Sequence, residues 1–512
     1  MFDHQRGPWA GQVIVAERTV EREVKLSAPA GFRWPVFGAE SALVATPLEK
    51  RAFQTVYFDT PDLRLARWGC SLRHRSGEGW TLKLPSSVSD GPLLVRGEYR
   101  FDGEPIRPPE AALAIVAAYL RGSETRPVAR LRTVRHPVRL DGADGAPVAE
   151  MVLDEVSVLE GGRLVERFRE VEVEVAPQTS PETLQIILEA LRTAGAVPTD
   201  PVPKYTRALG TRAWVSPEVV LGNPGEHSSA GQLVRNAIAS SVDRYLRHEP
   251  GVRVGEDPES VHQARVATRR LRSDLRTFSP LLEQAWTGAL QDKLRWLGGL
   301  LGGVRDADVL HARLRSRVES LPEDDRPAGS KLAAELGSDR EQARAQLLGG
   351  LTGNEYLGVV QSLVDAARSP GLLPGSRRPA HDAALPLLRV PWKKLRRRVK
   401  ALGDSPADEA LHEVRIRAKR SRYAAEAVAP VLGKRAVRFA RAAAGLQEVL
   451  GEHQDAVVTG RLLRERAAGA PAEVAFAAGE LAGLEGAAAT RARSEWPAAW
   501  KRLRKAARKL EL

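Results

Sequence analysis

Cysteine is nearly missing from this chain: Cys70 is the only one in 512 residues. That excludes an intramolecular disulfide and any site built on several thiolates, so a bound metal has to sit on oxygen or histidine. Aromatic residues make up only 5%. No uninterrupted apolar run approaches the roughly 20 residues that span a bilayer. Met1 to Gly11 also lack the basic start and apolar core of a secretory signal. The expectation is a cytoplasmic protein without membrane insertion. Excess positive charge is absent from the first half, where residues 1–224 carry 28 Lys+Arg against 29 Asp+Glu. From residue 225 onward 49 face 35, so the net charge of +13 arises in the second half. A basic half fused to a balanced one implies an anionic partner, whether nucleic acid, acidic membrane or polyphosphate. With 43% hydrophobic and 28% charged residues, a chain this long should form two or three soluble domains.

The first ordered stretch is Glu21-Arg22-Glu23-Val24-Lys25. On a strand Glu21, Glu23 and Lys25 share one face, and Arg22, Val24 and Leu26 the other. Carboxylates so spaced can ligate a hard divalent cation, and the lysine can meet an anion bridged by it. Taken alone, the same pattern also describes a solvated edge strand. Further period-two runs over 19–27, 52–58, 69–76, 79–84, 93–101, 128–139, 148–160 and 164–176 predict antiparallel strands. Helical stretches near 109–121 and 181–194 interrupt them. Eight strands and few helices point to a closed barrel. Charge alternates along most of these strands: Arg73 and Arg75, Lys83, Arg96 and Glu98, Arg130 and Arg132, then Glu170, Glu172 and Glu174. On one strand this means a wet face; on most strands of one sheet it means a charged lumen. Gathered arginines and lysines repel one another unless a polyanion neutralises them, and guanidinium forks suit phosphate oxygens.

These residues carry a resemblance. Glu21-x-Glu23-x-Lys25, Tyr57-Phe58-Asp59-Thr60-Pro61, Leu72-Arg73-His74-Arg75, Thr81-Leu82-Lys83, Arg96-x-Glu98, Leu153-Asp154-Glu155, Glu170-x-Glu172-x-Glu174 and Lys204-Tyr205 resemble, in order, the CYTH domain of the triphosphate tunnel metalloenzymes. The resemblance implies an eight-stranded tunnel that binds a linear triphosphate and hydrolyses it, or cyclises a nucleotide, with divalent metal. It implies Glu21 and Glu23 as metal ligands, helped by Glu172, Glu170, Glu174 and Asp154, with Mg²⁺ or Mn²⁺ as cofactor. Lys25, Arg73, Arg75, Lys83, Arg96, Arg132 and Lys204 would contact phosphate, and Glu21, Glu23 and Lys25 would carry the chemistry. No base is assigned, and His74, on the opposite strand face from the arginines, reads as structural.

After a linker rich in turn formers the period becomes helical. Apolar spacing predicts helices over 228–247, 260–278, 282–301, 306–321, 331–348, 391–402, 408–428, 434–450, 455–469 and 473–509, the last broken or kinked at Pro497. The half repeats itself: the run starting Val261-His262 resembles Leu411-His412, and Leu301-Gly302-Gly303-Val304-Arg305-Asp306 resembles Leu450-Gly451-Glu452-His453-Gln454-Asp455. Histidine to aspartate is 44 residues in one copy and 43 in the other. A shared spacing over two motifs implies duplication, hence two helical bundles related by a pseudo-twofold.

His262, Arg265, Arg269 and Arg272 fall on one helix face, as do His412, Arg415, Lys419 and Arg422; Arg270 and Arg420 adjoin them. Acids to pair with these stripes look scarce, which suggests a groove for a polyanion. The stripes resemble the CHAD domain, the conserved-histidine α-helical domain, over about 228–510, and the resemblance implies inorganic polyphosphate bound by these residues. The histidines are read as bonding phosphate or capping the pore rather than holding metal. Few aromatics interleave the basic residues, which weighs against a nucleic-acid partner.

The expected organisation is α+β: a tail (1–17), a tunnel domain (18–212), a linker (213–227) and a helical domain (228–512) with repeats at about 228–375 and 376–512. The expected function is divalent-metal-dependent hydrolysis of tripolyphosphate or short polyphosphate, with polyphosphate held by the helices and association with polyphosphate granules. The alternatives are a non-catalytic polyphosphate-binding or granule-targeting protein, an adenylate cyclase, or a thiamine triphosphatase.

Overall fold

A computed structural model describes residues 17–37, 42–85, 93–198 and 203–512. The expected tail lies outside these, apart from Glu17, which begins the first strand. The described residues form two compact units, one ending at Pro217 and one beginning at Glu218.

In the first unit the alternating runs become β1 (Glu17–Ser27), β2 (Leu43–Pro47), β3 (Arg51–Asp59), β4 (Ser71–Arg75), β5 (Gly79–Pro85), β6 (Leu94–Phe101), β7 (Arg126–Gly142), β8 (Pro147–Glu160), β9 (Arg163–Val175) and β10 (Val197–Pro198). Eight of them close a ring in the order β1-β6-β5-β4-β3-β7-β8-β9, with β9 returning to β1, every pairing antiparallel. Short β2 pairs with the overhang of β7, and β10 with the end of β1. Both lie outside the ring, and neither is foreseen from the pattern, being too short to show a period. The β8–β9 hairpin turns at Gly161-Gly162, whose φ values of 55° and 85° suit a primed turn.

Alternation sorts the side chains. Val24 and Leu26 of β1, Val138 and Leu140 of β7, Met151 and Leu153 of β8, and Val171, Val173 and Val175 of β9 point outward into one core. The helix α4 (Pro181–Thr193) closes that core with Ile187, Leu188 and Leu191, and its first turn is capped by Ser180, which accepts a hydrogen bond from the Thr183 amide. A second cluster fills part of the interior itself: Tyr57, Ala129, Leu131, Val156 and Val158 pack on Tyr205 and Leu209 of α5 (Lys204–Leu209). The short helix α1 (Arg64–Arg67) explains Asp59, whose carboxylate accepts from the amides of Thr60, Leu65 and Ala66 and so holds a turn. Two further short helices, α2 (Glu110–Ile115) and α3 (Ala117–Leu120), occupy the stretch expected near 109–121.

The second unit is helical: α6 (Ala230–Val254), α7 (Pro258–Thr277), α8 (Gln284–Val318), α9 (Arg326–Gly350), α10 (Gly353–Arg368), α11 (Ala380–Lys400), α12 (Asp408–Ala467) and α13 (Ala472–Lys509). No helix among the described residues is long and apolar enough to cross a membrane. The duplication is visible in the backbone, since Ala230 N donates to Arg378 O and Ala380 N to Ser228 O. Two positions 150 residues apart thus exchange hydrogen bonds, as a pseudo-twofold requires.

Several helix boundaries differ from expectation. Most of 282–301 and of 306–321 belongs to the single helix α8, which runs through Gly302: a Cβ there would lie 4.0 Å from Arg265 Nε, an ordinary contact. Its counterpart Gly451 would lie 3.5 Å from Arg415 Nε. Expected helices at 408–428, 434–450 and 455–469 form α12, which turns at Gly433. The helix α10 is not foreseen, α11 starts earlier than 391 with Pro386 and Pro391 inside it, and α13 runs unbroken through Pro497. A proline removes one ladder bond, and packing on both sides outweighs that loss.

Gly433 has φ 62° and ψ −151°, a region open in practice only to glycine. Gly433→Ala should therefore cost about 1–3 kcal/mol in urea unfolding of the helical unit. Gly445→Ala, later in the same helix with open space at its Cβ, should be neutral or stabilising by up to about 1 kcal/mol.

Candidate functional site

Because Val24 and Leu26 face out, Glu21, Glu23 and Lys25 face in. The pairing of β1 with β9 then sets Glu23 opposite Glu174, Lys25 opposite Glu172 and Ser27 opposite Glu170. On the other flank Glu21 pairs with Arg96, Lys83 with Glu98, and Ser71 with Lys83. In a ring of eight, β4 stands four strands from β9, so Arg73 and Arg75 look across the lumen at the acidic strand. Glu21, Glu23, Lys25, Arg73, Arg75, Lys83, Arg96, Glu172, Glu174 and Lys204 all line one cavity of about 410 Å³.

The acidic wall is laced by cations. Lys25 bonds Glu172 and lies 3.3 Å from Glu23; Lys83 lies 2.5 Å from Glu21 and 3.0 Å from Glu98. Lys204, at the first turn of α5, reaches Asp154 and Glu172 at 2.7 Å and Glu170 at 3.0 Å. The basic wall is different: the Nε atoms of Arg73 and Arg75 are buried without hydrogen-bond partners. Burial, with Arg73 and Arg135 nearby, pulls Arg75 down to about 10. His74 packs edge-on against Trp80 outside the barrel, in keeping with a structural part.

Three expected residues are placed elsewhere. Arg132 is exposed and absent from the lining; it shares strand parity with the outward Val138 and Leu140. Its place on β7 is taken by Arg135, three residues along, which sequence reading passed over by following the Arg130/Arg132 alternation. Asp154 is fully buried beneath the lining, with both oxygens held by Arg135 at 2.8 and 2.7 Å and by Lys204. Glu170 is likewise engaged, by Lys204 and by Arg207 at 3.4 Å. Neither residue lines the cavity.

Among the described residues no three acidic, histidine or cysteine groups stand close enough to hold a metal ion as they are. The charge pattern of the acidic wall nonetheless fits a hard cation. Burial first, then Glu21, Glu23 and Glu98, raise Glu174 to about 7 in spite of Lys83, and burial raises Glu23 as well. A divalent cation on these oxygens would relieve that repulsion.

The helical unit holds a groove of about 600 Å³ lined by His262, Arg265, Arg269, Arg415 and Lys419, and also by Arg305 and Arg313, which sequence reading missed. Burial, then Arg269, Arg415 and Arg265, pull Lys419 down to about 7. The other expected groove residues lie apart. Arg270 and Arg422 clamp Glu426 at 2.7 and 2.8 Å, joining α7 to α12. Arg420 lines a different cavity, and Arg272 and His412 line neither. Acids for these stripes are thus not scarce. Glu426 and Asp306, which is 2.9 Å from Arg265, come from neighbouring turns and helices where stripe counting does not see them.

The sequence model of the CYTH domain matches residues 17–205, and that of the CHAD domain residues 236–464. Over 499 residues the chain is 32% identical to the uncharacterized protein Rv2226 of Mycobacterium tuberculosis, covering 89% of this chain and 90% of that protein. Among solved structures, the CHAD domain from the plant Ricinus communis is 28% identical, covers 56% of this chain and 95% of its own, and superposes with a TM-score of 0.48. PptA from Streptomyces chartreusis is 22% identical, covers 54% and 100%, and has a TM-score of 0.46.

Two outcomes follow from the lumen charges. Lys204→Ala strips the cation from three buried carboxylates and should cost about 3–5 kcal/mol in urea unfolding. Glu174 rises from 4.5 to about 7 on folding, so the native chain holds its proton longer and loses stability as pH climbs through that window. Glu174→Gln should remove this loss: its stability relative to the unmutated chain, read from urea titrations, should increase from pH 4.5 to pH 7.

Proposed function

Since the chain belongs to the proteins that join a CYTH domain to a CHAD domain, we propose that its barrel hydrolyses a terminal phosphoryl group of tripolyphosphate or short polyphosphate while its helices bind inorganic polyphosphate. One observation carries the reading. Arg73 and Arg75 each present a buried Nε without a hydrogen-bond partner across the lumen from an acidic wall, with Glu78 beside them at 2.8 Å from Arg75. A linear phosphate chain fits between: its oxygens take the guanidinium forks of one wall and the ammonium groups of Lys25 and Lys83 on the other.

Glu21, Glu23, Glu172 and Glu174 are the residues that would hold a Mg²⁺ or Mn²⁺ ion; when bound, that ion would polarise a phosphoryl oxygen and favour attack by water. The rest falls to the chain. Arg73, Arg75 and Arg96 orient the phosphates and stabilise charge that spreads over the equatorial oxygens in the transition state. The Tyr57–Tyr205 pair, with ring centroids 5.3 Å apart, belongs to the apolar cluster that fills part of the interior and excludes water there. A lumen filled in this way favours a chain end over the middle of a long polymer. In the groove Arg265, Arg269, Arg415 and Lys419 supply the charge for polyphosphate, and a bound anion would draw Lys419 back to its charged form.

Phosphate release from tripolyphosphate, ATP and long-chain polyphosphate, with metal and with chelator, tests this. Release from tripolyphosphate should need divalent metal and should drop by about 10²–10³ in Arg73→Ala, the loss typical of one preorganised charge donor. The Glu21→Ala/Glu23→Ala double variant should be inactive. No release from any substrate, with long chains still bound, would make this a polyphosphate-binding protein.

A further inference from the structure

The helical unit has a second cavity, of about 410 Å³, that shares no lining residue with the groove. It is built by the end of α7, the middle of α11 and the first half of α12. Successive turns of α11 place Leu387, Val390 and Pro391 on one face, with Pro386 beside them and Pro280 closing the floor from the turn after α7. Val390 is 55% exposed, an unusual position for a branched apolar side chain on a helix otherwise rich in charge. Pro391 has no N–H to give the carbonyl of Leu387, so an acceptor on that floor lacks its normal helical donor.

Around this apolar floor stand five cations, Arg276, Arg378, Lys394, Arg417 and Arg420, and no acid lines the cavity. Among the described residues only Arg417 has a carboxylate within ion-pair distance, Glu413 at 4.0 Å, and its Nε is buried without a hydrogen-bond partner. Arg276 is held below its ordinary value by burial and by Arg420, Arg272 and Arg295, as crowded like charge demands. The apolar floor has no use for a bare inorganic phosphate chain, which has no apolar surface to bury. A single carboxylate on an acyl chain would leave most of the five cations uncompensated. A ligand that satisfies both halves carries several negative charges on one end and a flat, largely apolar body with N–H donors on the other.

We propose that this cavity binds a nucleoside triphosphate, with the phosphates on Arg276, Arg417 and Arg420 and the base over Leu387, Val390 and Pro391. It is an organic-phosphate site separate from both the lumen and the groove, and it would let the helical unit respond to a nucleotide while it holds a polymer.

Photolabelling of the full chain with 8-azido-ATP in the presence of EDTA, read by peptide mass spectrometry, tests it. Label should appear within residues 378–394, be quenched by excess ATP and persist against equimolar tripolyphosphate. Val390→Glu and Arg276→Glu, both at exposed positions, should each cut that label about tenfold by setting a carboxylate against the nucleotide. Helical circular dichroism and the urea unfolding midpoint of the helical unit should stay unchanged in both variants and so report that this unit is folded. Label confined to the barrel or groove, quenching by tripolyphosphate as effective as by ATP, or displacement by geranyl diphosphate where ATP fails would overturn the proposal.

Discussion

Closing a sheet of eight strands forces one side chain in two to face inward, and here much of the inward set is charged. That constraint governs the first unit. Isolated ions in such a place would cost far more than the fold can supply, so they persist only as mutual partners. Lys204 illustrates the economy, with one ammonium group satisfying three carboxylates from β8 and β9. The compensation is uneven around the ring. Glu21, Glu23, Glu170 and Glu172 are covered by lysines, whereas Arg73 and Arg75 on β4 each keep a buried Nε without an acceptor, although Arg75 Nη1 donates to Glu78 at 2.8 Å. The imbalance falls where a polyanion would complete it.

In the helical unit the organising device is repetition. Two copies that exchange hydrogen bonds at Ala230 and Ala380 must bring α7 and the first half of α12 together, and with them two basic stripes. The stripes do not act as wholes. Glu426 takes Arg270 and Arg422 into an inter-repeat clamp, and the remaining residues, Arg265, Arg269, Arg415 and Lys419, line the groove. Arg265 lies against Gly302 of α8 and Arg415 against Gly451 of α12, the same contact in each copy. The same helices thus carry charge in two settings, an inter-repeat clamp and an open basic groove.

Three basic environments therefore differ in what accompanies the cations. In the lumen it is carboxylates, which suit phosphate bridged by metal; in the groove it is a few acids from adjacent turns, which suit an extended polymer; beside α11 it is bare hydrocarbon, which suits an organic phosphate. Net charge alone does not separate these cases. The composition of the neighbouring surface does.

Read alone, the chain dictated the eight ring strands, the helical character of the rest, the duplication and most of the lumen residues, because each rests on local spacing: period two, period three to four, or a motif repeated at matched distance. Partnership was beyond it. Arg132 and Arg135 look alike along the strand, and only closure of the barrel and the seat of α4 decide which of them faces in. Asp154 reads as a ligand until Arg135 and Lys204 are seen to occupy it. A helix end at Gly302, a helix start at Pro391 and a break at Pro497 do not occur, because a breaker's cost of a few kcal/mol is local, while the packing that overrides it comes from residues far away in the chain. Which residues carry charge, and in what rhythm, is written in the order of amino acids; which charges are left without a partner is decided only when the strands close and the copies meet.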